Sequence, residues 1–369
     1  MFDPKIWAQV PFHFWTACFF AFGCVVGSFL NVCIHRMPRG ESIVRPPSHC
    51  PHCGYSIPWY LNVPLITWLW LHAQCANCGK EISARYFLVE LLTGVVFAAC
   101  WLDFGRRSAL VAIVFCIMIA GLIVATFIDV EHYIIPDEIT LGGAVVGLLL
   151  AFFVPGSHVS FPYARPMHTI GAAMGDSVLG ILVGAGVVYG VLRLGKALFG
   201  RYKLRMPPNS RVVFTETMLQ LPDLEMPYED LFYRAGDTIR MTAERVEMID
   251  RCYVKTEVRL QPHELRIGEE TFDPEKVHHL EAVSDRIVLP REAMGLGDVK
   301  FMAAIGAFLG WRAVLFSLAA SSVIGTVVVG TLIAFRRRDW STRLPYGPYI
   351  AAAAVIWIFG GYLWFRSLF

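Results

Sequence analysis

The chain has 369 residues, of which 56% are hydrophobic and 17% are charged, and its formal net charge is +2. This balance, with a mean hydropathy of +0.52, excludes an ordinary water-soluble globule and indicates a polytopic membrane protein. We therefore expect membrane lipid around the chain and no nucleic-acid partner.

Apolar runs of membrane-spanning length define the predicted helices, since a helix needs about 20 residues to cross a hydrocarbon core roughly 30 Å thick. They lie near 12–35, 86–104, 108–128, 138–154, 170–192, 313–335 and 347–365. With a shorter run at 299–311, the sequence predicts an all-α polytopic membrane protein with about eight transmembrane helices. The first run is too long for a signal-peptide core and lacks a cleavage site after it, so we expect a mature span.

Basic residues near the span ends favour one side of the membrane. They are Arg36, Arg39, Arg45, Lys80 and Arg85 around the loop after the first run, Arg201, Lys203 and Arg205 after the fifth, and Arg336 to Arg338 after the run at 313–335. The positive-inside rule makes this side cytoplasmic. Arg106 and Arg107 are exceptions, because they are predicted on the opposite side.

The loop after the first run contains two matched cysteine pairs, CPHC at 50–53 and CANC at 75–78, separated by 21 residues. This spacing is typical of a zinc site with four thiolates, here Cys50, Cys53, Cys75 and Cys78. CPHC alone is also typical of a disulfide oxidoreductase. The second pair, the glycine after each pair and the cytoplasmic placement favour a small cytoplasmic zinc-binding loop domain.

Two aspartates lie near the ends of apolar runs on the cytoplasmic side. Asp129, in TFIDVEHYIIPDEIT, ends the third run, where a lysine or arginine would be the usual residue. Asp137 has a structural explanation, because an acid near a helix N-terminus interacts favourably with the helix dipole. Asp298 also begins a predicted helix, but Gly295 and Gly297 before it permit a sharp turn and the close approach of another segment.

The number of crossings predicts that these features share one face of the membrane. Two runs separate the cysteine loop from Asp129, and two more separate Asp129 from Asp298. Two carboxyl groups within a few ångströms of each other share a proton, so one can accept a proton from water while the other acts on a peptide carbonyl. The sequence thus predicts an aspartyl protease dyad, and no serine or cysteine occurs with a histidine in a recognisable nucleophilic motif.

Residues 200–290 differ in composition from the rest of the chain. They hold 17 of the 30 acidic residues and no membrane-length apolar run. Alternating stretches such as DTIRMTA and YVKTEVRLQ predict strands, so we expect an inserted β-rich cytoplasmic domain. A disordered charged loop is the alternative, because proline and charge are both frequent there.

Five blocks of sequence together resemble the type IV prepilin peptidases, bacterial inner-membrane leader peptidases that also methylate the new N-terminus. The blocks are GSFLNVCIHRMPRG, PLITWLWLHAQCANCGKEISARYFLVELLTG with the paired cysteines, IDVEHYIIPDEIT, GLGDVKFMAAIGAFLG and LPYGPY. On this resemblance Asp129 and Asp298 are catalytic, Gly295, Gly297 and Lys300 support the motif, and the paired cysteines bind zinc. The insert at 200–290 departs from the family pattern.

The resemblance also implies a substrate, a methyl donor and a location. The substrate would be a prepilin or pseudopilin with a basic leader in the cytoplasm and a hydrophobic N-terminal helix in the inner membrane. Cleavage would follow a glycine, and S-adenosylmethionine would then methylate the freed amine. The implied domains are the first helix at 1–36, the zinc domain at 37–85, helices with the first aspartate at 86–199, the insert at 200–290 and the Gly-x-Gly-Asp helices at 291–369.

Other polar residues have structural or functional interpretations. Glu90 lies inside the second run, where an acid is costly, and a pair with Lys300 or a contact with Asn31 would explain it. Lys300 is also positioned to lower the pKa of Asp298 or to attract a substrate carboxylate. Ser28 and Asn31 are expected to be helix-packing contacts, and Asp176 is predicted on the opposite side.

Two other protein classes remain possible from the residues alone. A transporter or ion channel also contains intramembrane acids, but more naturally near mid-span along a pathway. A membrane thiol oxidoreductase would use the cysteines in thiol–disulfide exchange instead of metal binding.

Overall fold

A computed structural model describes residues 11–160, 165–199, 201–215, 217–222, 224–228, 231–232, 237–277, 279–290, 295–335, 344–361 and 363. Two parts of the sequence predictions lie outside these residues: the basic cluster Arg336 to Arg338, and most of the portion after residue 361 of the run predicted at 347–365. The chain divides into two compact units, Met1–Val188 with Leu296–Phe369, and Tyr189–Gly295.

Apolar helices dominate the first unit. They are α1 (Phe12–Arg36), the short α2 (Ile66–Trp70), α3 (Ala84–Phe104), α4 (Ala109–His132), α5 (Asp137–Phe153), α6 (Ile170–Phe199, which continues into the second unit), α7 (Leu296–Leu309), α8 (Trp311–Ala334) and α9 (Gly347–Ile356). A π-helical turn, Trp357–Gly361, follows α9. Two short strands of two residues each, β1 (Val159–Ser160) and β2 (Arg165–Pro166), pair in antiparallel fashion. Helices suit this composition because they satisfy their backbone hydrogen bonds internally in lipid.

Local sequence signals set the ends of α3, α4 and α5. The Ser83 side chain accepts a hydrogen bond from the Arg85 N–H, and the Ser108 side chain accepts one from the Val111 N–H, so a serine caps each helix. At the end of α4, Tyr133 adopts a left-handed conformation with φ of 56°. Pro136 then precedes α5, so the chain reverses direction within a few residues of Asp129.

Five helices among the described residues are long and apolar enough to cross a membrane. They are Phe12–Arg39, Ala84–Phe104, Ala109–His132, Ile170–Lys196 and Trp311–Ala334. The other three apolar helices are shorter: α5 has 17 residues, α7 has 14 and α9 has 10. The structure therefore confirms a mostly helical protein with five candidate membrane spans among the described residues, and the total of about eight stays a prediction.

Small residues allow two pairs of helices to pack closely. A Cβ atom on Gly27 of α1 would lie 2.7 Å from the Glu90 Cα of α3, and one on Gly180 of α6 would lie 2.1 Å from the Gly306 carbonyl oxygen of α7. Both distances are shorter than Cβ contacts allow, so these backbones meet only because the side chains are absent. The Asn31 amide of α1 also donates to the Tyr86 carbonyl of α3 at 3.1 Å, which is the packing contact expected.

The second unit contains one antiparallel sheet of ten strands. They are β3 (Arg201–Arg205), β4 (Arg211–Phe214), β5 (Met218–Leu221), β6 (Leu224–Pro227), β7 (Ile239–Met248), β8 (Cys252–Gln261), β9 (Glu264–Ile267), β10 (Glu270–Phe272), β11 (Leu280–Val283) and β12 (Arg286–Pro290). Their order is β10-β9-β8-β7-β11-β4-β5-β6, and β12 pairs with β3 and with the start of β7.

One face of this sheet is buried. In β7, the buried Ile239, Met241 and Ala243 alternate with residues that solvent reaches, and similar residues of the neighbouring strands complete a hydrophobic cluster. This alternation is the pattern of a strand with one face in a core. A β-rich domain is therefore confirmed, and the alternative of a disordered charged loop does not hold for its described residues.

Candidate active site

The two cysteine pairs form matching knuckles. In the first, the Cys50 N–H donates to the Tyr55 carbonyl and the Gly54 N–H donates to the Cys50 carbonyl, both at 2.9 Å. The equivalent bonds of the second join Cys75 to Lys80 at 2.8 Å and Gly79 to Cys75 at 2.9 Å. The glycine of each knuckle has a positive φ, +69° at Gly54 and +68° at Gly79, which explains why a glycine follows each pair.

The four cysteine sulfurs converge on one point. All four Sγ atoms lie within 4.8 Å of one another, and those of Cys50 and Cys78 are 3.9 Å apart. Zinc with four bonds of about 2.3 Å to sulfur would require S···S separations of about 3.8 Å. The thiols therefore fit a tetrahedral zinc ion with small adjustments, and the prediction that these residues come together is confirmed.

Backbone amides prepare these sulfurs to bind a cation. Hydrogen bonds from the backbone of Cys78 and Asn77 lower the pKa of the Cys75 thiol to about 6, and one from Tyr55 lowers the pKa of the Cys53 thiol. At Cys78 a backbone bond from Lys80 also acts to lower the pKa, but desolvation and the neighbouring sulfurs outweigh it and raise the pKa to about 11. Four thiolates this close together repel one another, and a bound metal cation would offset that repulsion.

Asp129 lies in the last turn of α4 and is buried. Its Oδ2 atom accepts a hydrogen bond of 2.8 Å from the backbone N–H of Gly347, the first residue of α9. A Cβ atom at Gly347 would lie 2.8 Å from that same oxygen, so only glycine permits this approach. The start of α9 thus binds one oxygen of the Asp129 carboxylate.

Asp298 lies in the first turn of α7 and is also buried. Ile135, in the turn between α4 and α5, connects it with Asp129. A Cβ atom on Gly297 would lie 3.5 Å from the Ile135 Cβ, and one on Gly347 would lie 3.3 Å from the Ile135 Cδ1. The segments that carry the two aspartates therefore meet at Ile135, at the same end of the helices.

Lys300 has a different partner from those expected. Its Nζ atom lies 2.6 Å from the Asp137 Oδ1 at the start of α5, and both side chains are partly exposed. The pair fixes the first turn of α7 against the first turn of α5. Lys300 therefore does not form the pair with Glu90 that was one of the two expectations for that acid. Of the motif glycines, Gly297 packs on Ile135 whereas Gly295 is exposed just before α7.

Glu90 also has an unexpected partner. Its Oε2 atom accepts a hydrogen bond of 2.8 Å from the backbone N–H of Leu65, in the loop between the cysteine pairs. The expected pair with Lys300 or contact with Asn31 was wrong, because Lys300 bonds to Asp137 and Asn31 donates to backbone carbonyls. The carboxylate serves instead to hold a loop against α3.

The cysteine loop and Asp129 lie at the same end of the helices. The Arg85 guanidinium, at the start of α3, lies 2.5 Å from the Glu131 carboxylate, two residues beyond Asp129. Asp176 lies elsewhere. It pairs with His158 at 3.0 Å and contacts Gly310, which follows the end of α7 opposite to Asp298.

Sequence reasoning missed Gly347, Ile135 and Leu65 as residues that position the acids. Gly347 belongs to LPYGPY, one of the blocks that carried the resemblance, so a signal for its importance was present. Its bonding to Asp129 joins residues 218 positions apart and no local pattern encodes it. Ile135 and Leu65 carry no signal beyond their hydrophobicity.

Two models of one peptidase family match the chain. Residues 21–104 match the bacterial peptidase A24 N-terminal domain, and residues 116–201 and 281–330 match the type IV leader peptidase family. Together they cover more than half of the chain, including every residue proposed from the sequence for the site. No solved structure matches this chain.

Similar proteins include several named prepilin leader peptidase/N-methyltransferase. That of Myxococcus xanthus is 41% identical over 197 residues, which is 49% of this chain and 58% of the relative. That of Aeromonas hydrophila is 27% identical and aligns over 92% of this chain and 89% of its own length. That of Stutzerimonas stutzeri is 24% identical and aligns over 98% of both chains. The chain therefore belongs to the type IV leader peptidase family, whose relatives named above are prepilin leader peptidase/N-methyltransferases.

Proposed function

We propose that this enzyme of the leader peptidase family is an aspartyl endopeptidase of the bacterial inner membrane, with its catalytic face in the cytoplasm. Its substrates are type IV prepilins and pseudopilins, from which it removes the basic leader after a glycine. The observation that carries this proposal is the burial of Asp129 and Asp298 in two segments that meet at Ile135.

The two acids divide the chemistry of peptide hydrolysis. One carboxylate accepts a proton from a water molecule, whose oxygen attacks the scissile carbonyl carbon, while the other, protonated, acid donates a hydrogen bond to the carbonyl oxygen. Collapse of the tetrahedral intermediate returns a proton to the leaving amine. The Gly347 N–H bonds to the Asp129 Oδ2 and so orients this carboxyl group, whichever of the two roles it takes.

The site suits a substrate that is both soluble and membrane-embedded. Asp129 and Asp298 lie at helix ends, within a turn of exposed charged residues such as Glu131. A leader in the cytoplasm and a hydrophobic helix in lipid would meet at this level, so the bond between them could reach the acids without drawing the helix far out of the membrane.

Zinc and S-adenosylmethionine complete the proposal. The four cysteine thiolates would hold zinc, which supplies a cross-link between the knuckles and takes no part in peptide cleavage. Methylation of the new N-terminus follows from the name of the relatives, prepilin leader peptidase/N-methyltransferase. S-Adenosylmethionine would supply the methyl group for the free amine and would leave as S-adenosylhomocysteine, with release of one proton from the amine.

The test combines a synthetic prepilin with an isotopically labelled methyl donor and measures the product masses. Wild type should yield a free leader and a mature peptide that carries one labelled methyl group. Asp129→Asn and Asp298→Asn should each abolish leader release, because an amide cannot exchange the proton. Asp137→Asn is the matched control, since this acid lies at the same end but is exposed and paired with Lys300.

The outcomes distinguish the proposal from its alternatives. Retained cleavage in Asp129→Asn or Asp298→Asn would refute the proposed catalytic dyad. Cleavage without methyl transfer would refute only the methyltransferase activity. A transporter would release no leader from any variant. A thiol oxidoreductase would lose activity on zinc loading, whereas this enzyme should purify with one zinc per chain.

A further inference from the structure

Residues 59–70, WYLNVPLITWLW, form an unusually apolar segment between the two cysteine knuckles. It contains no charged residue and consists of a 3₁₀ turn, Trp59–Leu61, and the helix α2, Ile66–Trp70. Its exposed large side chains include Trp59 at 83%, Ile66 at 61% and Trp70 at 77% of their full accessible area. In water a cluster of exposed apolar side chains of this kind would favour aggregation, so it is more consistent with an apolar partner.

One side of this segment is attached to α3. The Trp68 ring packs on Phe87 with the ring centroids 5.0 Å apart, and its Nε1 atom donates to the Ile82 carbonyl at 3.3 Å. The Glu90 carboxylate accepts the Leu65 N–H, as described above. The attached side faces a candidate membrane span, so the opposite side, with Ile66 and Trp70, points away from it.

The attachment also gives the depth of the segment. Arg85 and Glu131 form an ion pair at the ends of α3 and α4, which marks the polar boundary of these two spans. Glu90 follows Arg85 by five residues, or about 7.5 Å along the helix axis, and its side chain leans back toward the helix N-terminus. The Leu65 N–H is thus about one turn inside the boundary, near the level of Asp129.

Hydrogen bonds hold much of the backbone of the segment. The N–H groups of Asn62, Ile66, Thr67 and Leu69 donate to carbonyls within it, the Leu61 N–H donates to Pro58 just before it, and the carbonyl of Trp68 accepts from Ala73. Leu65, with a positive φ of 61°, immediately precedes α2, and its N–H donates to Glu90 outside the segment. In lipid, an unpaired N–H would cost several kcal/mol.

The exposed apolar side chains also continue an existing surface. On α3, Leu88, Leu92 and Val95 are each about half exposed on a helix long enough to span the membrane. Tryptophan and tyrosine accumulate where such surfaces meet the lipid headgroups. Trp59, Ile66 and Trp70 add further exposed apolar area of the same kind.

We propose that residues 59–70 are a re-entrant segment, inserted into the bilayer between the zinc knuckles, with lipid hydrocarbon as the partner of its exposed side. Glu90 is the positioning residue that holds it at the level of Asp129. The loop with the cysteines is therefore anchored in the membrane at its middle as well as at both ends.

Fluorine NMR of the whole protein in lipid nanodiscs tests the insertion. The tryptophans are replaced biosynthetically by 5-fluorotryptophan, and Trp59→Phe and Trp70→Phe assign the two signals. A phospholipid with a nitroxide on its acyl chain reports contact with hydrocarbon, and a water-soluble gadolinium chelate reports contact with water. Val254→Trp provides a matched control, because Val254 lies on the β-rich unit and is 70% exposed.

The Trp70 signal should lose most of its intensity to the nitroxide lipid and little to the gadolinium chelate, whereas the Val254→Trp signal should respond in the opposite way. A Trp70 signal that follows the Val254→Trp signal would overturn the proposal. Protection from both reagents would also overturn it, because protein and not lipid would then cover the segment.

Two substitutions of Glu90 test the anchor. Glu90→Ala removes the acceptor of the Leu65 N–H and should expose the Trp70 signal to the gadolinium chelate. Glu90→Gln keeps a side-chain oxygen that can accept this bond, so the wild-type response should remain. An unchanged Trp70 response in Glu90→Ala would refute the positioning role, provided that the thermal midpoint shows the variant to be folded.

Discussion

Gly347→Ala tests whether α9 positions the proposed catalytic carboxylate. The new methyl group would lie 2.8 Å from the Asp129 Oδ2 and 3.3 Å from the Ile135 Cδ1, so the carboxylate or the start of α9 must shift. The shift would lengthen or break the buried bond from the Gly347 N–H, which measures 2.8 Å. A hydrogen bond to a charged group contributes about 1.5–3 kcal/mol, which corresponds to a loss of about 10- to 150-fold in rate if it is needed in the transition state.

The assay is the initial rate of leader release from a prepilin in detergent micelles, at saturating substrate. Gly143→Ala is the matched control, because its methyl group would make an ordinary contact of 3.5 Å with the Ala304 Cβ. It should cleave at the wild-type rate. If Gly347→Ala keeps the rate of Gly143→Ala, the contact between α9 and Asp129 has no catalytic role.

Three further predictions concern other parts of the molecule. Cys50→Ser should reduce bound zinc, measured by mass spectrometry of the metal, to well below one per chain, whereas Cys252→Ser, outside the cluster, should leave it unchanged. Gly27→Ala should lower the thermal midpoint in detergent, because overpacking costs about 1–3 kcal/mol and the methyl group would meet the α3 backbone at 2.7 Å; Gly121→Ala, with open space around it, should not. Asp176→Asn should retain leader cleavage, since this acid pairs with His158 away from Asp129, and loss of cleavage without loss of folding would contradict the assignment.

Local features of the molecule were largely readable from the sequence. Each cysteine knuckle depends on a few consecutive residues, so the spacing of Cys50, Cys53 and the following Gly54 already specifies its turn. The strands of the insert also follow from alternation, as in β7. The positions of Asp129 and Asp298 at helix ends follow from the hydropathy pattern.

Contacts between distant residues could not be read in this way. Glu90 was expected to bond to a side chain, but its partner is the Leu65 backbone, which has no residue-specific signal. The same holds for the bond between Gly347 and Asp129.

The pairing of β3 with β12 bears on how a large insert can be accommodated next to Gly-x-Gly-Asp. Arg201 and Pro290 are register partners at the ends of these strands, although 89 positions separate them in the chain. Paired residues of antiparallel strands have Cα atoms about 5 Å apart. The first and last strands of the β-rich unit therefore end side by side, so the distance between the two ends could be closed by a connection of a few residues. A module of this kind can be gained, exchanged or discarded in evolution while the helices on either side keep the same spacing.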